Sequence, residues 1–305
     1  MGKIFGTAGR VLIYLGEPDE HSDRALKRIA NDGASPTPRD VQDMQKFLER
    51  PWFERVWVLQ EVAFSRSAYA ICGDMCVPWG LFTAHHMWKA HAIKFMRATH
   101  FRSPAVLSYA SESSFPRTPL LQQLNYSRLC KASDPRDKVI ALLGMTNPSD
   151  GWNRLIDYSM TTEQIYTSLA RRLVEQDRSL RVLSGAHGSS PEHASLPTWV
   201  PDWSVCPVMH TFGLGHHRKG LYNAGGHPAV VEWSTPSAEL GGECSVLIAQ
   251  GVKVGSVHMV DKPMDDIQNG LEFREGLIQW RTGVSLLSHF VYNFPRYQSR
   301  LAHVE

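Results

Sequence analysis

The stretch Arg50–Val62, RPWFERVWVLQEV, constrains the fold of this chain more than any other. It has the length and the proline-led start of a helix, yet its tryptophans, phenylalanine, valines and leucine leave no clean polar face. On a wheel at about 100° per residue, Trp52, Val56, Leu59 and Ala63 cluster on one side and Phe53, Trp57 and Phe64 take the next sector. Gln60 falls between those groups, and Val58 and Val62 occupy another side with Arg55 beside Val62. A helix that is apolar nearly all round is expected to be buried. Polar groups inside it then need partners, because an unmatched hydrogen-bonding group costs roughly 1–3 kcal/mol and a charge more. Arg55 and Glu61 stand about 120° apart on the same helix and do not answer each other. The expected partners of Arg55 are the carboxylates of Asp134 and Asp137, with Arg136 left for Glu61 or Glu54. Arg55, Gln60, Glu61, Asp134, Arg136 and Asp137 thus form a candidate polar lattice between two distant segments. Its first reading is a device that fixes how helices dock; a catalytic or ligand-binding role and plain surface charge are the alternatives.

Around this stretch the chain alternates strand-like and helical patterns. VLIYLG, Val11–Gly16, is an apolar run ended by Gly16 and Pro18, as suits a buried strand. A polar helix is expected from Ser22, and a second one is capped by Thr37 with Pro38 at its first position. AYAICGDMCVPW, Ala68–Trp79, reads as a hairpin turning at Gly73-Asp74. The following GLFTAHHMWKAHAIKFMRA makes a long amphipathic helix on which His85, His86 and His91 do not share a face at ligand spacing. In ASDPRDKVIALLGM, Asp134 is the expected N-cap, Pro135 the first helical residue, Asp137 a dipole-favoured third residue and Gly144 the C′ stop. Thr161 and Gln164 form a capping box for a helix whose buried stripe is Ile165, Leu169 and Leu173. From Leu196 the character changes. LPTWVPDWS is proline-bounded and not helical, and the runs PAVVEW, CSVLIAQG and VKVGSVHMV alternate like strands. The expected organisation is α/β over 1–195 and β-rich over 196–305, without internal repeats.

The net charge of +2 gives no reason to expect nucleic acid or an acidic membrane surface. No apolar run approaches the length of a membrane span, Arg10 and Gly9 break the N-terminal run too early for a signal peptide, and Gly6 stands where a myristoylation signal needs Ser or Thr. The five cysteines suit a reducing compartment, and Cys72 and Cys76 have no nearby Cys/His pair to complete a zinc site, so neither metal nor cofactor is expected.

RPWFERVWVLQEV, SDPRDKVIALLGM and LPTWVPDWS, in this order and at these distances, resemble the fungal heterokaryon-incompatibility (HET) domain family. The opening MGKIFGTAGRVLIYLGE is similar to that family's helix-then-strand segment, and YNAGG with LIAQGVKVGSV is similar to the β-rich region that follows the domain. The resemblance implies a cytoplasmic protein of filamentous fungi, acting in non-self recognition and regulated cell death through self-assembly or an incompatibility partner. It also implies a fold remotely like Toll/interleukin-receptor domains, some of which assemble and some of which cleave NAD. Family members carry, upstream of the segment matching Met1, a strand with Tyr-x-Trp and another resembling D-A-x-C-I-N-Q. Neither precedes Met1 here, so the expectation is an incomplete α/β half followed by a β-rich region cut at its end. A sheet-edge active site is then in question, since ligands in open α/β sheets gather at the carboxyl ends of strands.

Two enzymatic alternatives remain: NAD cleavage by analogy of fold, or recruitment to other small-molecule chemistry. An inactive truncated relative is a further one. Trp199 and Trp203 flank Asp202, an aromatic-carboxylate arrangement that could grip a planar cation but more commonly seals one subdomain onto another. Ser189, Ser190 and His193 lie in a loop with no evident acid, and GLGHHRKG is too glycine-poor for a nucleotide fingerprint. No nucleophile elbow, Walker loop or HExxH pair is present.

Overall fold

A computed structural model of the protein describes residues 2–31, 37–84, 119–146, 150–186, 190–205, 228–234 and 246–249. All of them fall in the first of the two compact units of the chain, Met1–Gln250. The fold is mixed α/β. Helix α1 (Gly2–Thr7) leads into strand β1 (Val11–Tyr14), which Gly16 ends at φ 96°, a backbone angle that favours glycine. Strand β2 (Ala68–Cys72) lies parallel to β1, in register from Val11↔Ala68 to Tyr14↔Ile71. Strand β3 (Met75–Pro78) returns antiparallel through the Gly73-Asp74 turn, so the sheet order is β1-β2-β3 and the hairpin stands where the sequence put it. Joining parallel strands takes a long crossover. Here it contains α2 (Glu20–Ala30), α3 (Pro38–Leu48) and the apolar stretch at 50–62.

Strand β1 departs from the expectation of burial on both faces. Val11 and Ile13 are buried, whereas Leu12 and Tyr14 are 64% and 58% exposed. Alternate side chains of a strand face opposite ways, and only one face of β1 meets the core.

The stretch Arg50–Val62 is not one helix. Pro51–Glu54 forms a 3₁₀ turn, Arg55 is extended at φ −78°, ψ 136°, and α4 spans Val58–Ala63. Arg55 is drawn out because its backbone bridges Lys131 in parallel: Val56 N donates to the Lys131 carbonyl at 2.9 Å and Lys131 N to the Glu54 carbonyl at 2.5 Å. The break invalidates the single wheel but not the burial. Phe53, Val56, Val58 and Leu59 are fully enclosed, each apolar side chain contributing about 1.5–3 kcal/mol.

Helices α2 and α3 are both capped by boxes, Asp19 with Ser22 and Thr37 with Asp40, so α2 begins before the expected Ser22. Short α5 (Trp79–Ala84) and α6 (Leu120–Tyr126) precede α7 (Asp137–Leu143). Helix α7 starts later than its sequence suggests. The Asp134 carboxylate accepts from Arg136 N at 2.9 Å within the preceding turn, and Arg136 becomes the N-cap residue. Gly144 follows α7 at φ −64°, not in the left-handed conformation of a glycine stop. Helix α8 (Thr162–Asp177) keeps both the Thr161–Gln164 capping box and the buried Ile165, Leu169 and Leu173. Beyond it, β4 (Val231–Ser234) pairs antiparallel with β5 (Val246–Ala249). The histidines at 85, 86 and 91, Ser189, GLGHHRKG, YNAGG and VKVGSVHMV lie outside the described residues. No helix among the described residues is long and apolar enough to cross a membrane.

Candidate functional site

The polar side chains of the 50–62 stretch find partners, but not those expected. Arg55 is exposed and makes no ion pair among the described residues. Asp137 binds two aromatic donors instead: Trp57 Nε1 at 2.9 Å on one carboxylate oxygen and the Tyr158 hydroxyl at 2.6 Å on the other. Burial, and then that hydrogen bond to Asp137, push the Tyr158 hydroxyl well above the usual tyrosine range.

Arg136 answers neither Glu61 nor Glu54. Its guanidinium takes both oxygens of Asp134, at 2.7 to 3.1 Å, and donates to the Tyr158 and Met160 carbonyls. A partner two residues away costs less chain ordering than one across the molecule, so the local pair forms. Its hydrogen bonds hold the Asp134 carboxyl below the usual carboxylate range. Glu61 accepts from Trp52 Nε1 at 3.2 Å, and Glu54 meets Lys131 at 2.6 Å. Gln60, 3% exposed, donates to the Ala141 carbonyl of α7 at 2.7 Å. The two segments are therefore joined, by the backbone bridge, by Trp57–Asp137 and by Gln60–Ala141. The expected ionic lattice across them is replaced by hydrogen bonds, most of them with only one charged member or none.

A second seam joins the 134–145 segment to LPTWVPDWS. Buried Lys138 donates from α7 to the Arg128 carbonyl at 2.8 Å and also to the Cys130 carbonyl. Arg128, itself buried, spreads its guanidinium over the carbonyls of Gly185 at 3.0 Å, Asp202 at 2.6 Å and Val205 at 3.1 Å. Tyr166 on α8 bonds the Pro135 carbonyl at 2.7 Å while its ring meets Trp203 edge-on, centroids 5.1 Å apart. Burial pushes the Tyr166 hydroxyl far above its ordinary value.

The aromatic-carboxylate arrangement is not a cage. Trp203 is buried against Tyr166, whereas Trp199 packs on Trp233 of β4 at 5.1 Å, with Arg171 stacked on that indole. The carboxylate of Asp202 is fully enclosed and so is not presented to solvent between two indoles. It accepts from Ser190 N at 2.9 Å, Ser204 N at 3.0 Å and the Ser204 hydroxyl at 2.5 Å. Burial pushes this carboxyl up, but the hydrogen bonds from Ser204 and Ser190 together outweigh it and hold it below the usual range.

Asp202 also supplies what the sequence did not reveal for His193. Their side chains meet at 3.3 Å, Nδ1 to Oδ2. Ser190 and Ser204 hydroxyls lie 3.2 Å from the same ring nitrogen. The missed signal was spacing: Asp202 follows His193 by nine residues, across a proline-bounded turn that brings the two together. All these groups contact Nδ1, so among the described residues no serine stands on Nε2, opposite Asp202, where a Ser-His-Asp relay places its nucleophile.

Other features stand apart. A cleft of about 270 Å³, lined by Arg66, Tyr69 and Trp79 among others, touches the 50–62 stretch only at Val62 and includes none of the hydrogen-bonding side chains of either seam. Among the described residues no three His, Cys, Asp or Glu side chains gather to hold a metal, and Cys72, Cys76 and Cys130 form no disulfide.

Residues 1–61 match the family described as Heterokaryon incompatibility protein (HET). The chain is also similar to Heterokaryon incompatibility protein 6, OR allele, of Neurospora crassa, at 26% identity over 196 residues. That similarity covers 52% of this chain but 29% of the relative, so the chain spans under a third of that protein's length. No solved structure matches the chain.

Proposed function

The match at residues 1–61 and the Neurospora crassa relative support membership of the heterokaryon-incompatibility family, and on that premise we propose that this protein acts in fungal non-self recognition or regulated cell death by engaging another protein chain. It works in the cytoplasm, through self-assembly or an incompatibility partner. Residues 1–195 form the HET-like part and 196–305 a β-rich region after it, with the α/β part related in fold to Toll/interleukin-receptor domains.

One observation carries this reading: an edge of β1 that no described strand pairs. Val11 N and Leu15 N donate to the Ser67 and Ile71 carbonyls beside β2, both at 2.8 Å. Successive N–H groups of a strand alternate sides, so Leu12 and Tyr14 direct theirs to the other edge, where no described strand pairs. The Leu12 and Tyr14 side chains leave apolar surface on the face of β1 that does not meet the core. An unpaired strand edge with apolar side chains is a template for strand addition by another chain.

The test is expression in a filamentous fungus at confirmed protein level, scored for growth arrest. The chain is expected to arrest growth, and the L12K/Y14K double variant, whose charges oppose strand addition, to restore it. Healthy growth with the unaltered chain contradicts the incompatibility reading. Arrest by both proteins removes the β1 edge as the contact surface.

A further inference from the structure

His193 is a titratable side chain of the second seam whose hydrogen bonds to described residues all fall on one ring nitrogen. Three oxygens surround its Nδ1: Asp202 Oδ2 at 3.3 Å and the Ser190 and Ser204 hydroxyls at 3.2 Å. The Ser204 hydroxyl donates its hydrogen to Asp202 Oδ1, so its oxygen is left to accept. A carboxylate accepts and never donates. An unprotonated Nδ1 would point its lone pair at a buried carboxylate, whereas a protonated Nδ1 has acceptors around it. A neutral ring with its proton on Nδ1 gives that carboxylate a donor and leaves the lone pair on Nε2.

The hydrogen bonds that His193 makes to described residues all fall on Nδ1, and none of them reaches Nε2. His193 keeps 6% of its surface exposed, with Tyr166 beside the ring at 6.2 Å between centroids. The scaffold behind it is rigidly specified. Arg128 fixes the Gly185, Asp202 and Val205 carbonyls, and Asp202 is gripped by the Ser190 and Ser204 backbones.

We propose that His193 is a general base whose Nε2 takes the proton of a water molecule or of a ligand hydroxyl, with Asp202 as its positioning residue. The O–H bond breaks as the N–H bond forms, the electron pair stays on oxygen as hydroxide or alkoxide, and the imidazolium is stabilised by the Asp202 carboxylate. The ligand class is a hydrogen-bond donor through oxygen. The inference is independent of the β1 edge and of incompatibility.

Two measurements on the whole chain test it. The first is the neutral tautomer of His193, read from long-range ¹H–¹⁵N correlations of histidine-labelled protein, with the signal identified by its loss in H193Q. The expected form carries the proton on Nδ1; an Nε2–H tautomer overturns the proposal, and this outcome needs no altered Asp202. The second is modification by diethylpyrocarbonate, mapped by peptide mass. His193 is expected to react in the folded protein, and D202N, with its fold checked by near-ultraviolet circular dichroism, to slow that reaction by about tenfold, in line with a lost charge-assisted hydrogen bond. An unreactive His193 in folded protein, or one that reacts equally fast in a folded D202N, assigns the cluster a structural role alone.

Discussion

A Cβ on residue 144 would lie 2.5 Å from Gln60 Nε2, inside any real contact distance. Gly144 is thus small for Gln60's sake, since Gln60 must reach over it to the Ala141 carbonyl. G144A is expected to destabilise the fold by about 1–3 kcal/mol, the usual range for overpacking a filled site. Urea unfolding reads this as a lowered midpoint; an unchanged midpoint contradicts the account. Arg50 teaches the complementary lesson. It donates to the Leu15 and Glu17 carbonyls at 2.6 and 2.8 Å and to Asp19 at 2.8 Å, tying down the chain as it leaves β1. On a continuous helix Arg55 is the residue in need of a partner, but the helix breaks there. Once Arg55 is extended its side chain leaves the core, and Arg50, at the edge of the same stretch, does the joining.

Helices α2 and α3 are held together by a carboxylate that the sequence displayed without advertising. Asp43 lies in the buried stripe of α3 with Met44, Phe47 and Leu48. An acid in such a stripe signals a partner from the facing helix. Arg24 supplies two hydrogen bonds, at 2.6 and 2.8 Å, and His21 Nδ1 lies 2.7 Å away. The Arg24 hydrogen bonds, opposed by burial and aided by His21, bring the Asp43 carboxyl down to about 2. Its folded value lies below the unfolded one, so its contribution is fully present above 3.8 and is lost as pH falls through about 2. Urea unfolding followed across that window is expected to show stability falling more steeply in the unaltered protein than in D43N. Equal slopes would mean that Asp43 is not depressed. Elements marked by local chemistry were legible in advance: the Thr37 and Thr161 caps, the Gly73-Asp74 hairpin and the α8 stripe depend on neighbours a few residues away. The break at Arg55 was not, because its cause is a backbone bridge to Lys131, far along the chain.

At the scale of the molecule, the segments that carry the family resemblance form one framework. Trp57–Asp137, Gln60–Ala141 and the 55–131 bridge join the first to the second. Lys138, Arg128 and Tyr166 join the second to the third. That these segments meet was foreseeable from polar groups embedded in apolar sequence; which atoms meet was not, because aromatic N–H and O–H groups and carbonyls compete with opposite charges for each site. Buried charges here are matched largely by carbonyls and aromatic donors, which a search for complementary charges overlooks. The central claim is thus that an indole–carboxylate bond, and not an Arg55 ion pair, couples the first two segments. The direct measurement is a pair of double-mutant cycles by urea unfolding, W57F with D137N and R55A with D137N. The account predicts a coupling of about 1 kcal/mol or more for Trp57 with Asp137, and additivity within about 0.5 kcal/mol for Arg55 with Asp137. Additivity in the first cycle, or coupling in the second, would contradict it.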